Sequence, residues 1–153
     1  MIEQQIETGL HLKRPCIIVR DLDRALTIYQ DILGFKLDYR SPADPDSYLY
    51  SVFKFPKNAN LAFAALSTDY EPRSLALTEV KGIELASPSL PHRIATVIRV
   101  ESVTSIIEQI RPLNLDIVAP NYFTAPPNLF FTEQAFCDYD NNLIVIYDVK
   151  IKE

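Results

Sequence analysis

The sequence predicts an α+β fold of two tandem β-α-β-β-β modules. The first observation is the stretch Val19-Arg20-Asp21-Leu22-Asp23-Arg24-Ala25-Leu26-Thr27-Ile28-Tyr29-Gln30-Asp31-Ile32-Leu33-Gly34-Phe35. Asp21 has the side chain of an N-cap, since its carboxylate can accept from the free N–H groups of a first helical turn. Gly34 suits the position after a helix end, where positive φ carries no Cβ clash. Between them Leu22, Ala25, Leu26, Tyr29, Ile32 and Leu33 recur at helical spacing and give one apolar face. The second observation is that Val100-Glu101-Ser102-Val103-Thr104-Ser105-Ile106-Ile107-Glu108-Gln109-Ile110-Arg111 repeats this form 81 residues later, with Ser102 in the capping place. The third is that apolar strand-like runs flank both helices, so each helix has a sheet to lie on.

In order, residues 1–12 read as a lead-in and 13–19 as the first strand, with Pro15 near its start, where a missing N–H is tolerated. The helix covers about 22–33, and 35–40 is the second strand. Ser41-Pro42-Ala43-Asp44-Pro45-Asp46 is turn chemistry. Residues 47–55 read as the third strand and 60–66 as the fourth, which sets module one at about 13–66. Residues 67–91, with Pro72, Gly82, Pro88 and Pro91, read as a linker within one domain of 1–153, with a short strand or helix at 75–80. Module two, about 92–149, repeats the plan: strand 93–100, helix 103–111 stopped by Pro112, strand 115–119, loop 121–128, strand 129–136, a tight turn through Asn141-Asn142, and strand 143–149.

The totals exclude several function classes. At 153 residues and 48% hydrophobic content the chain is long and apolar enough to bury a core. A net charge of −5 argues against a general nucleic-acid binder, which needs excess Lys and Arg for the phosphates. No apolar run is long enough to span a bilayer, and the first ten residues lack the basic-then-apolar order of a signal peptide. The expected location is the cytoplasm. Cys16 and Cys137 fall in expected strands and read as buried thiols of a reducing compartment.

Two β-α-β-β-β modules carrying these motifs resemble the vicinal oxygen chelate superfamily, which includes glyoxalase I, extradiol dioxygenases and bleomycin resistance proteins. The strand-Asp-helix-Leu33-Gly34-Phe35 segment, the half repeat at Val100, and Phe136-Cys137-Asp138-Tyr139-Asp140-Asn141-Asn142-Leu143-Ile144 carry the resemblance. In the last, Tyr139 stands where the family's turn has Pro and Asn141 where it has Gly. The resemblance implies a cup-shaped mixed sheet with helices outside, closed around a ligand and often completed by a second subunit. A homodimer is the expected assembly, being also the commonest one.

The family's enzymes hold a divalent metal with His and Glu from four strands. Carried over residue by residue, the first ligand position is Arg14, whose guanidinium stays protonated and cannot ligate. The second lies in strand 60–66, which offers no carboxylate or imidazole in any register. The third and fourth fall on Ala95 and Val145. His11, His92 and Asp148 each stand three residues from a ligand position, an odd offset that turns a strand side chain to the other face. The expectation is no metal and no cofactor.

Even offsets from the lost ligand positions name the expected cup face: Arg14, Cys16 and Ile18; Arg93, Val97 and Arg99; Leu143, Val145 and Tyr147. This is an apolar surface with few polar groups, the make-up of a small-molecule pocket. Arg14 or Arg93 can hold a carboxylate through paired hydrogen bonds, or snorkel to the rim. The acidic total suits a cationic ligand and the arginines an anionic one. Glu133 is the candidate base, Tyr122-Phe123 and Phe130-Phe131 read as mouth or dimer-seam aromatics, and Asp138 and Asp140 as turn caps. The expected function is metal-independent small-molecule binding. The alternatives are a superfamily enzyme with a displaced metal site or metal-free acid–base chemistry through Glu133, His92 and Tyr147, and an interaction module with a vestigial cup.

Overall fold

Helix α1 (Leu22–Leu26) begins where the Asp21 carboxylate accepts from the Arg24 N–H at 3.0 Å. It widens into a π-helical stretch, Thr27–Ile32, and ends at Gly34, whose φ of +94° would strain any side chain. In this computed structural model, which describes residues 7–153, the helix lies on a sheet of β1 (Cys16–Val19), β2 (Lys36–Pro42), β3 (Asn60–Ser67) and β4 (Leu75–Lys81). The spatial order is β1-β4-β3-β2, with β1 parallel to β4 and the other pairs antiparallel. The second half repeats this: β5 (Thr96–Arg99), α3 (Val103–Ile110) with a 3₁₀ turn over Arg111–Leu113, β6 (Asn121–Ala125), β7 (Leu129–Cys137) and β8 (Leu143–Ile151), in the order β5-β8-β7-β6. The part of the expected lead-in before residue 7 lies outside the described residues.

One core joins the two halves. Val19, Leu22, Ile28, Tyr29, Leu66 and Leu77 from the first pack in one cluster with Val103, Ile107, Ile110, Phe136, Ile144 and Ile146 from the second. Each side chain of this size contributes about 1.5–3 kcal/mol by leaving water. The core uses one face of each sheet; the side chains that alternate with these point to the opposite face, which a small cluster around Tyr50 covers in part on the first sheet and which is open around Val97 on the second.

The structure corrects three elements. Residues 47–55, expected as a strand from their Tyr, Val and Phe content, hold helix α2 (Tyr48–Phe53). The Ser47 hydroxyl caps it by accepting from Leu49 N–H, and the left-handed Lys54 ends it. The helical turn brings Leu49 and Tyr50 onto Ile18, Leu61 and Val80, and this packing overrides the local β preference. The missing strand is β4, the strand of the two alternatives open at 75–80, so the first sheet runs on to Lys81 rather than ending at 66. β4 is central and covered on both faces, so it lacks the alternation that marks a half-exposed strand. The third correction concerns 115–119, which touches β7 through a lone bridge at Ile117 before Pro120 breaks the ladder. The regular pairing resumes as β6, inside the expected loop.

A buried carboxylate on the central strand holds each helix start. Glu79 on β4 accepts from the Leu22 N–H at 2.6 Å, and Asp148 on β8 accepts from the Val103 N–H at 2.8 Å. These acceptors satisfy N–H groups that a first turn leaves free, and their negative charge faces the positive end of the helix.

The 138–142 turn fastens one half to the other. Asp138 Oδ2 accepts from the Tyr29 hydroxyl at 2.8 Å, while Oδ1 accepts from the N–H groups of Asp140 and Asn142. Asp140 Oδ1 accepts from the Arg20 N–H at 3.1 Å, and Asn142 Nδ2 donates to the Ile18 carbonyl at 3.0 Å. Arg24 lies over the Tyr139 ring at 4.7 Å. Beyond capping their own turn, Asp138 and Asp140 therefore bind the first module. The first half ends β3 with a similar run, Asp69-Tyr70-Glu71, but here Asp69 pairs with Lys36 at 2.5 Å and Tyr70 stands exposed. An open groove of about 600 Å³ separates that turn from residues 98–106.

Tyr29→Phe removes one donor from the buried Asp138 and should cost about 1–3 kcal/mol, read as a lower urea midpoint at unchanged m-value. Burial lifts the Asp140 carboxyl above its ordinary range, with the Asp138 charge adding to it and Arg20 and Arg24 opposing. The folded state then holds this proton more tightly than the unfolded one, so stability falls as pH rises from about 3.8 through the raised folded value. Asp140→Asn cannot ionise, and wild type should lose stability relative to it over that window in urea titrations at stepped pH.

Candidate ligand site in the open sheet faces

The expected site residues fall into two groups and one outlier. On the second sheet, strand alternation and register place Val97 and Arg99 on β5, Val145 and Tyr147 on β8, and Glu133 on β7, all on the open face. Their neighbours Ile98, Ile144, Ile146 and Phe136 turn to the core. Val97 is 63% exposed, so this face is uncovered in the chain. On the first sheet, Cys16 and Ile18 occupy the matching positions of β1, with Ala76 and Thr78 beside them on β4. Arg14 is the outlier. It is exposed, donates to the Arg73 carbonyl at 3.2 Å, and lines none of the described cavities near Cys16.

Cys16, Ile18 and Arg93 meet at the seam between the sheets. They line a cavity of about 510 Å³ together with Pro88, His92, Ile94 and Leu143. Pro88, Ser89, His92, Arg93 and Ile94 supply one wall, and Pro15 to Ile18 another. Pro15, Ile17, Ile18, Pro88, Ile94 and Leu143 supply the cavity's apolar surface, and its polar groups are the Cys16 thiol, 3.4 Å from the Thr78 hydroxyl, Ser89, His92, the exposed Arg93, Thr96, Asn141 and Asn142. His92 Nε2 approaches Cys137 Sγ at 3.6 Å. Burial pushes the Cys137 thiol up, and the charges of Asp116 and Asp138 push it the same way. It therefore stays a protonated thiol near neutral pH, unsuited to attack. Cys16 is exposed, where the sequence suggested a buried thiol.

The strand beside β1 is β4, so β3, which holds 60–66, is not the partner expected to carry the second ligand. By register, Ala76 faces Cys16 as Val145 faces Val97. Arg14, Ala76, Ala95 and Val145 offer no imidazole or carboxylate, and the residues present do not fit the family's cation. The acidic groups nearby, Glu79 and Asp148, face the core and hold helix starts. Among the described residues no group of three or more His, Cys, Asp or Glu is placed to hold a metal ion.

Two features escaped the sequence reading. Phe123 and Phe131 stack in parallel across β6 and β7, with centroids 4.7 Å apart at 2°, and Tyr147 stands 6.5 Å from Phe131. The Asn121 amide donates to Glu133 at 2.8 Å. Both follow from pairing β6 with β7, so assigning 121–128 to a loop hid them.

The family profile of the Glyoxalase/Bleomycin resistance protein/Dioxygenase superfamily matches residues 10–146. The chain belongs to this superfamily. Solved structures agree on the fold. A glyoxalase family protein from Bacillus cereus is 14% identical with a TM-score of 0.72, over 96% of this chain and 99% of that one. The trypanothione-dependent glyoxalase I of Leishmania major is 20% identical with a TM-score of 0.59, over 92% and 87%. An antibiotic binding protein from Streptomyces is 15% identical with a TM-score of 0.56, over 95% and 100%. A comparison with curated proteins finds no match. Among the described residues no helix is long and apolar enough to cross a membrane.

The two cysteines should differ in reactivity. Cys16 should react with a water-soluble thiol reagent in the native protein, whereas Cys137, 5% exposed, should react only after denaturation. Mass mapping of the labelled peptides checks this.

Proposed function

We propose that this superfamily member is a metal-independent binding protein for a small organic molecule. The ligand is held by the seam cavity and the open face of the second sheet. The observation that carries the reading is a pair: a roomy cavity whose aliphatic wall is set among several polar side chains, and four ligand positions filled by Arg14, Ala76, Ala95 and Val145. Cys16, Ile18 and Arg93 line the seam, and Val97, Arg99, Val145 and Tyr147 supply the sheet wall. The mechanism is stoichiometric capture with no bond made or broken. The Streptomyces relative, an antibiotic binding protein, is a precedent within the fold for that kind of activity. In this reading the protein works in the cytoplasm as a homodimer, with a second copy covering the exposed face around Val97.

The competing reading is an enzyme using Glu133 as a base, and the Asn121 amide on that carboxylate is the observation in its favour. Elemental analysis with native mass spectrometry of protein purified without chelators separates the two. The expected outcome is no stoichiometric transition metal and a co-purified small organic mass retained after chelation. A stoichiometric metal, or conversion of that molecule to a product, would overturn the binding reading.

A further inference from the structure

The side chains around the seam cavity set both the shape and the charge of what it can hold. The apolar part of the wall is aliphatic, with Ile18, Ile94 and Leu143 beside Pro15 and Pro88. No Phe, Tyr or Trp is among the lining residues, so a flat ring finds no stacking partner there. The volume of about 510 Å³ lies within the usual range of small-molecule sites. An aliphatic body suits such a wall, since it gains by leaving water and needs no directional contact.

The polar part fixes the sign. Among the described residues no carboxylate side chain lines the cavity, and Arg93 is the lining side chain whose charge is permanent. Arg93 forms no ion pair among the described residues, so its charge is not cancelled within the chain. The acids of the neighbouring 138–142 turn are engaged elsewhere. Asp138 accepts from Tyr29 and from its own turn, and Asp140 accepts from the Arg20 N–H with the Arg20 side chain 3.5 Å away. The net charge of −5 favours a cation only at long range, and salt screens that field over about 8 Å. Arg93 is exposed and so stands at the mouth, where a guanidinium can pair with a carboxylate that keeps part of its water. Ile18 and Leu143 are half-buried and receive the hydrocarbon.

We propose that the seam cavity selects an aliphatic carboxylate, its head group paired with Arg93 at the mouth and its hydrocarbon body on Ile18, Ile94 and Leu143. This names the ligand class for the binding site proposed above and rests on that reading.

Isothermal titration calorimetry with octanoate, octanol and octylammonium, which share a chain and differ in head group, tests the assignment. Octanoate should bind the wild-type protein saturably and on the order of tenfold more tightly than octylammonium, with octanol between them. Arg93→Gln should weaken octanoate about fivefold, the upper end for an ion pair open to water, and leave octanol unchanged. Ile94→Ser, at a 79% exposed position, should weaken octanoate and octanol alike, because it removes wall and no charge. Urea midpoints show whether each variant is folded. Octylammonium bound as tightly as octanoate would overturn the anion assignment while leaving the binding reading intact. Octanoate binding indifferent to Arg93→Gln in a folded variant would also overturn it. Naphthoate, an aromatic carboxylate, bound more tightly than octanoate would overturn the aliphatic half of the proposal. Failure of every probe to bind would overturn the assignment and count against the binding reading.

Discussion

The buried Asp138 carboxylate is the constraint on which the arrangement of the two halves depends. A carboxylate 2% exposed is costly unless its oxygens are bonded, and Asp138 meets that demand with donors from both modules. Tyr29 supplies one from the middle of the first helical segment. It is itself fully buried, and burial together with the Asp138 charge holds its hydroxyl protonated and donating. The pair satisfies itself only when the second module's turn sits against the first module's helix. The shared core, the seam cavity and the relation of the sheets' open faces follow from that contact.

Glu79 and Asp148 perform the same service within each half, carrying charge from a central strand to the helix that crosses it. Their positions explain why the acidic residues of the inner strands are not available to the open faces. A carboxylate that completes a helix start points to the core by strand alternation. In this chain the acidic side chains of β4 and β8 are spent on architecture, while the opposite faces of those strands carry Ala76, Thr78, Val145 and Tyr147. Chemistry at the open faces and the seam is left to Glu133, the Cys16 thiol, His92, Arg93 and Arg99.

How much of this was legible in the sequence depends on how locally each feature is encoded. Asp21, Gly34 and Ser102 mark helix ends through bonds within three or four residues, and they were readable. The duplication was readable because the amphipathic period repeats. Helix α2 was not, and β4 was readable only as an undecided strand or helix at 75–80, because what decides them is distant packing: Tyr50 against Leu61 and Val80, and β4 inserted between β1 and β3. Site residues on β5 and β8 could be placed by parity alone, since alternation survives small errors in strand ends. Arg14 could not, because it precedes the start of β1 and its direction is set by the Arg73 carbonyl. The Phe123–Phe131 stack needed β6 to be known as a strand.

The two copies of the Asp-Tyr-acid run have taken different parts. Asp138-Tyr139-Asp140 is tied down on every side, whereas Asp69-Tyr70-Glu71 ends in an exposed tyrosine, 92% open, beside an unfilled gap. The polar bonds between the halves therefore run along one seam, while along the other the shared apolar core joins them, with Phe35 and Ile106 in one cluster. The duplication that made the halves alike in fold has left their two boundaries unlike in chemistry: one is directional and satisfied in a single arrangement, the other is held by burial without direction.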